Sequence, residues 1–116
     1  MYVVREGDVV IMYIDNHSGE VHPMHLHGHH AVVLSRTGVA ATGSPWWVDS
    51  LNVLDGETYD IAFVATNPGI WLDHCHHLKH AADGMGGSFD VRGCQYALSD
   101  WWNARQSTRV TLTSQL

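Results

Sequence analysis

The sequence predicts an all-β fold, an antiparallel β-sandwich, and three observations carry that prediction. The apolar segments are short and rich in β-branched residues. Turn-forming residues bound each of them. The segments follow one another closely, with no linker, low-complexity run or internal repeat between them. Many short strands at close spacing pack best as two sheets face to face.

Taken in order, Met1–Arg5, Val9–Asp15, Ala31–Ser35, Ser50–Leu54, Tyr59–Ala65, Ile70–His74 and Ser88–Val91 read as strands. Glu6-Gly7-Asp8, Ser18-Gly19-Glu20, Asp55-Gly56-Glu57, Asn67-Pro68-Gly69 and the glycines from Gly84 to Gly87 read as turns. Residues 37–47 read as a longer loop ending in Trp46 and Trp47. These two tryptophans suit a core, an interface or a substrate wall equally. The main domain is expected over residues 1–93, with a tail at 94–116 that packs on the domain or on a neighbouring subunit. In that tail Ser99 can cap a short helix through Trp101, Trp102 and Ala104. Residues 109–116 alternate weakly, like an added strand.

The 116 residues fit one domain with its own core. Hydrophobic content of 45% with 16% charged residues is a globular composition rather than a disordered one. The formal net charge of −6 argues against nucleic acid and against an anionic membrane surface as partners. No run approaches the roughly 20 apolar residues of a membrane span. Met1 leads at once into Tyr2-Val3-Val4, which reads as a strand rather than a leader peptide.

The unusual feature is histidine. The chain has ten, and all but His17 fall in two short clusters. The first is His22-Pro23-Met24-His25-Leu26-His27-Gly28-His29-His30; the second is His74-Cys75-His76-His77-Leu78-Lys79-His80, with Gly84-Met85 after it. Histidine is the commonest metal ligand among side chains. Side chains of a strand alternate faces, so His74 and His76 point one way and Cys75 the other. One short backbone segment can therefore serve two metal sites and join them by a covalent path for an electron. Cys75, His80 and Met85 with one distant histidine match the trigonal site with a weak axial methionine that holds copper in electron-transfer proteins. Zinc has no redox chemistry and would gain nothing from the thioether. His22 is assigned to this inner site, because Pro23 fixes the local backbone and lets it point apart from its neighbours. His25 and His27, two apart, are assigned to the outer site with His74 and His76. Cys94 is expected to be a buried thiol outside any disulfide. Asp49 is expected to bond a ligand histidine, Trp71 to pack beneath the second cluster, and Asp73 and Asp83 to be solvated. His29 and His30 are expected beside the site or at the surface, and His17 and His77 at the surface.

These two motifs, with Arg5-Glu-Gly-Asp-Val-Val, Trp47-Val-Asp-Ser-Leu-Asn-Val and Asn67-Pro-Gly-Ile-Trp-Leu, resemble the C-terminal copper domain of multicopper oxidases, the laccase-like group. The resemblance covers residues 2 to 92 and implies a Greek-key cupredoxin sandwich or barrel. It implies a type 1 copper on His22, Cys75 and His80 with Met85 axial. It makes His25 a type 2 ligand and His27, His74 and His76 type 3 ligands. In that family a small reducing substrate gives single electrons to type 1 copper. They pass through Cys75 and its neighbours His74 and His76 to a three-copper cluster, where O2 is reduced to water. Such a cluster takes half its eight histidines from another cupredoxin domain. The chain is thus expected to be an excised or stand-alone domain needing a second domain or symmetry-related copies, as in the two-domain trimeric members. Family members are often exported. A pure electron-transfer cupredoxin has no use for the four outer histidines. The related copper nitrite reductases lack the second histidine of His74-Cys75-His76. In His25-x-His27-x-His29-His30 a histidine stands where zinc hydrolases carry aspartate.

Overall fold

The computed structural model describes residues 1–76 and 86–93, and residues 109–115 as backbone. Its strands are β1 (Tyr2–Arg5), β2 (Val9–Asp15), β3 (His22–Leu26), β4 (Ala31–Arg36), β5 (Val39–Ala40), β6 (Trp47–Val48), β7 (Ser50–Val53), β8 (Thr58–Val64), β9 (Gly69–Cys75), β10 (Gly86–Arg92) and β11 (Arg109–Gln115). They form a five-stranded sheet in the order β1-β10-β9-β3-β7 and a six-stranded sheet that runs β11-β2-β8-β4-β5, with β6 beside β4.

Alternation explains both layers. In β2, Val10, Met12 and Ile14 are buried while their neighbours are only partly so. In β8, Tyr59, Ile61 and Phe63 face them from the adjacent strand, and Val4, Phe89 and Val91 close the core from the other sheet. Period-two burial on each inner face is the mark of two sheets packed together. Six predicted strands, β9 among them, match within one residue at each end. At β9 the strand extends by one residue at each end, to include Cys75, and at β10 by two at its start and one at its end.

Three features depart from the expectation. β3 is a full strand at His22–Leu26, with His22, Met24 and Leu26 buried. The stretch expected as a loop holds β5, joined to β4 by a tight turn in which Thr37 and Gly38 both have positive φ (47° and 77°). That is the geometry of a two-residue hairpin matched to strand twist. The sheets are also mixed: β1 runs parallel to β10, and β11 parallel to β2. Both parallel partners lie at sheet edges, where a chain segment can add after a crossover. His77, His80, Asp83, Met85, Cys94 and the expected helix near Ser99 lie outside the described residues.

For the site, the decisive pairing is β3 against β9. Met24 lies opposite Cys75, His25 opposite His74, and Leu26 opposite Asp73. The other edge of β3 pairs with β7, setting His22 opposite Val53 and His25 opposite Ser50. The two histidine motifs are far apart in sequence and adjacent in the sheet.

Candidate metal centre

On the inner face, Cys75 is fully buried and His22 is 1% exposed. Cys75 Sγ lies 3.6 Å from His22 Nδ1. Two ligands on one ion, at about 2.0 Å for nitrogen and about 2.3 Å for sulfur with a near-tetrahedral angle, sit about 3.5 Å apart. The pair fits a shared metal without rearrangement. A soft thiolate with an imidazole is also a donor set that suits copper in both oxidation states. On its far side His22 Nε2 is 2.6 Å from Ser18 Oγ.

On the outer face of the same strands four imidazoles gather. Ring centroids are 4.5 Å apart for His25 and His27, 5.0 Å for His27 and His74, 5.6 Å for His25 and His76, and 5.8 Å for His74 and His76. His27 Nε2 and His74 Nε2 are 2.9 Å apart. That spacing equals the separation of two nitrogens at about 2.05 Å from one ion at a right angle, about 2.9 Å. His74 Nδ1 is 2.9 Å from the Cys75 carbonyl. His25 Nδ1 is 2.9 Å from the Asp49 carbonyl and from Ser50 Oγ. A carbonyl only accepts, so both rings carry their proton on Nδ1 and turn an unprotonated Nε2 outward. Burial first, then the neighbouring His25, His74 and His76, hold His27 below the usual histidine range, which favours the neutral, ligating form. Among the described residues, no three His, Cys, Asp or Glu side chains form a group able to hold a metal ion. Among the described residues the outer cluster has paired donors and no closed shell.

Several residues differ from the expectation. Asp73 is not solvated: it points into the core between Trp71 and Cys75, 8% exposed, and burial pushes its carboxyl from 3.8 to about 6 against the pull of His74 and His25. The period-two rule puts it on the Cys75 face, so the sequence does carry that signal. Asp49 serves the site through its backbone carbonyl rather than its carboxylate. His29 is buried, 5.2 Å from the Phe63 ring and 6.1 Å from Trp71, whereas His30 and His17 are exposed. Trp71 packs on the core as expected. Gly28 lies flat against it: φ is +74°, and a Cβ there would meet the indole at 2.4 Å. Only glycine lets the chain turn so closely beside His27. Trp46 and Trp47 are 46% and 59% exposed, which leaves them off the core. Ser18 and Asn16 carry no metal signature in the sequence, and only the fold brings them to His22.

The sequence profile of multicopper oxidases matches residues 1–93. The iron transport multicopper oxidase fio1 of Schizosaccharomyces pombe is 37% identical over 100 residues, covering 76% of this chain and 16% of that protein. A laccase of Cryphonectria parasitica is 41% identical over 86 residues, covering 59% of this chain and 15% of its own length. Among solved structures, the blue copper oxidase from Nitrosomonas europaea superposes with a TM-score of 0.72 at 27% identity, over 78% of this chain and 30% of that one. The chain therefore spans about a sixth of the curated relatives it matches. With its two-sheet architecture and its two histidine motifs brought together across β3 and β9, the chain belongs to the multicopper oxidase family, as a copper-binding cupredoxin domain of the C-terminal type.

Proposed function

We propose that this domain takes single electrons from a small reducing substrate at a type 1 copper and passes them to a three-copper cluster that reduces O2 to water. In this reading His22, Cys75 and His80 would hold the type 1 copper, with Met85 as a further ligand. His25 is a ligand of the type 2 copper, and His27, His74 and His76 are ligands of the type 3 pair. When bound, copper supplies reversible one-electron chemistry at the inner site and oxygen chemistry at the outer one. The chain's own part is to hold the donors. The core fixes His22 and Cys75 in a dry pocket, which excludes water from the inner site. The peptide from His74 to His76 links the two faces. Asp49 and Cys75 carbonyls keep the His25 and His74 Nε2 atoms unprotonated and outward.

The observation that carries the proposal is the split at β9. Cys75 Sγ lies 3.6 Å from His22 on one face, and His74 Nε2 lies 2.9 Å from His27 on the other. The open outer cluster supports a partner: a second cupredoxin domain, or symmetry-related copies in a trimer, supplies the missing histidines. Ile70 and Leu72, 67% and 55% exposed beside it, are apolar surface such a partner would cover. The incomplete outer shell also favours a second reading for this chain by itself. Alone it binds type 1 copper and only transfers electrons, possessing no oxidase activity until partnered. Electron paramagnetic resonance of the copper-loaded chain tests both readings. A type 1 signal with compressed hyperfine splitting is expected. A type 2 signal beside it, with oxygen uptake, marks self-assembly of the outer site. Copper bound with no type 1 signal overturns the assignment of His22 and Cys75.

A further inference from the structure

His22 is held from two sides, and the second side fixes where its proton sits. The hydrogen positions follow by elimination from Asn16, which is fully buried. Asn16 Nδ2 donates to the carbonyls of Glu20 and Val53, at 2.8 and 2.9 Å. Two carbonyl partners identify that end of the amide as nitrogen, so Oδ1 is the other end and can only accept. It accepts the Ser18 backbone N–H at 3.0 Å and lies 2.7 Å from Ser18 Oγ. Two oxygens at that distance share a proton, and the amide oxygen has none to give. Ser18 therefore donates to Asn16. Its other acceptor contact, the Glu20 carbonyl at 3.3 Å, is longer.

Ser18 Oγ is left with its lone pairs. The Glu20 N–H approaches one at 3.3 Å. His22 Nε2 approaches at 2.6 Å, and with the hydroxyl proton already committed the imidazole must donate. A neutral His22 protonated on Nε2 has its lone pair on Nδ1, the atom 3.6 Å from Cys75 Sγ. Ligation through Nδ1 then requires no change on the ring.

We infer that Ser18, aligned by Asn16, is a positioning residue that fixes His22 in the Nε2–H tautomer and so presents Nδ1 as the ligand atom of the inner site. The consequence for copper rests on the inner-site reading above; the tautomer itself is a property of the metal-free chain. An acceptor behind a ligating imidazole raises its basicity, and losing such an acceptor costs about 10–100-fold in metal affinity. The cost falls mainly on Cu(II), the harder ion, so the reduction potential rises when the acceptor is lost. For one electron, a tenfold to hundredfold change corresponds to about 59 to 118 mV.

The test uses the full 116-residue chain, 15N-labelled and metal-free, at a pH about one and a half units above the free histidine pKa. Long-range 1H–15N correlation is expected to show His22 with a bare Nδ1 and a protonated Nε2. Ser18 is exposed, so Ser18→Ala leaves the core intact and is expected to yield a mixture of tautomers. Ser18→Thr retains the hydroxyl and is expected to restore the wild-type pattern. After copper loading, Ser18→Ala should raise the type 1 potential by the amount above, and Ser18→Thr should return it toward wild type. A wild-type His22 protonated on Nδ1 overturns the inference. So does a Ser18→Ala chain whose tautomer is unchanged. If the wild-type chain holds the Nε2–H tautomer and shows no type 1 spectrum, the copper reading fails and the positioning role of Ser18 stands.

Discussion

Strand β9 carries Cys75 on one face and His74 on the other, and the two faces share little beyond their backbone. The inner face is dry. Cys75 is fully buried, and His22, whose Nδ1 lies 3.6 Å from its sulfur, is almost so. Among the described residues, Met24, Val53 and Ser18 flank the pair. The outer face is wet, with His76 exposed and Ile70 and Leu72 largely so. Two of its imidazoles, His25 and His74, are oriented at the back by carbonyls. A fold can therefore define a metal site in two ways. Inside, packing fixes donor positions to the tolerance of a core. Outside, hydrogen bonds fix the orientation of the His25 and His74 rings.

The largest effect should come from the inner face. Cys75→Ser replaces the soft donor by a hydroxyl in the same buried place. The type 1 signal and the thiolate-to-copper absorption are expected to vanish altogether. The buried hydroxyl should also cost about 1–3 kcal/mol of stability. Paramagnetic resonance and optical titration with copper measure the first, and urea melts the second. A type 1 signal surviving in Cys75→Ser would mean that the two faces do not divide the ligands as described.

A smaller effect concerns Asp73, which sits on the inner face while its charge is felt by His74 and His25. Burial raises its carboxyl from 3.8 to about 6. Between those values the folded chain binds more protons than the unfolded one. The stability linked to Asp73 is thus fully present below about pH 4 and is lost as pH rises through about 6. At neutral pH the buried carboxylate weakens the metal-free fold by about 3 kcal/mol, at about 1.36 kcal/mol per pKa unit. Asp73→Asn should flatten the pH profile over that window. It should raise neutral stability by about 1–3 kcal/mol, less whatever the new amide leaves unbonded. Urea melts of the metal-free chain across the window check this. A variant that keeps the wild-type profile would place Asp73 in contact with water, and the inner face would be less dry than its burial implies.

The same contrast explains what is legible in the sequence. Alternation along 69–75 assigns Cys75 and His74 to opposite faces, and the two-residue spacing within each motif puts the outer histidines on a common side. Asp73 obeys that same alternation, yet its charge suggests solvent. β3 is hard to read as a strand because two histidines and a proline mask its apolar pattern, although Met24 and Leu26 are buried on schedule. Ser18 and Asn16 lie in a turn whose role exists only through a contact with His22 and bonds to distant carbonyls. Gly28 reads as an ordinary turn glycine, and its need for a bare Cα arises only from Trp71 packed against it. The parallel edges are illegible, because strand direction is set by crossovers and not by local pattern.

The smallest effect is expected from His76, and it is the sharpest test of independence between the faces. His76 follows Cys75 directly, and its backbone N–H bonds to the Pro23 carbonyl. Alanine keeps that bond. The side chain is exposed and lies beside the rings of His25 and His74. Removing it deletes no core contact, so stability should change by no more than about 0.5 kcal/mol. The type 1 spectrum should be unchanged, because Cys75 and His22 stay fixed by the core. Metal binding on the outer face should weaken, and oxygen uptake should fail in any assembly that completes the cluster. Urea melts, copper titration and paramagnetic resonance read these separately. If His76→Ala instead lowers stability by several kcal/mol or alters the type 1 hyperfine pattern, the outer imidazole helps to hold the backbone that aims Cys75. The inner site would then be defined jointly by both faces, and its geometry would change whenever the outer cluster is filled.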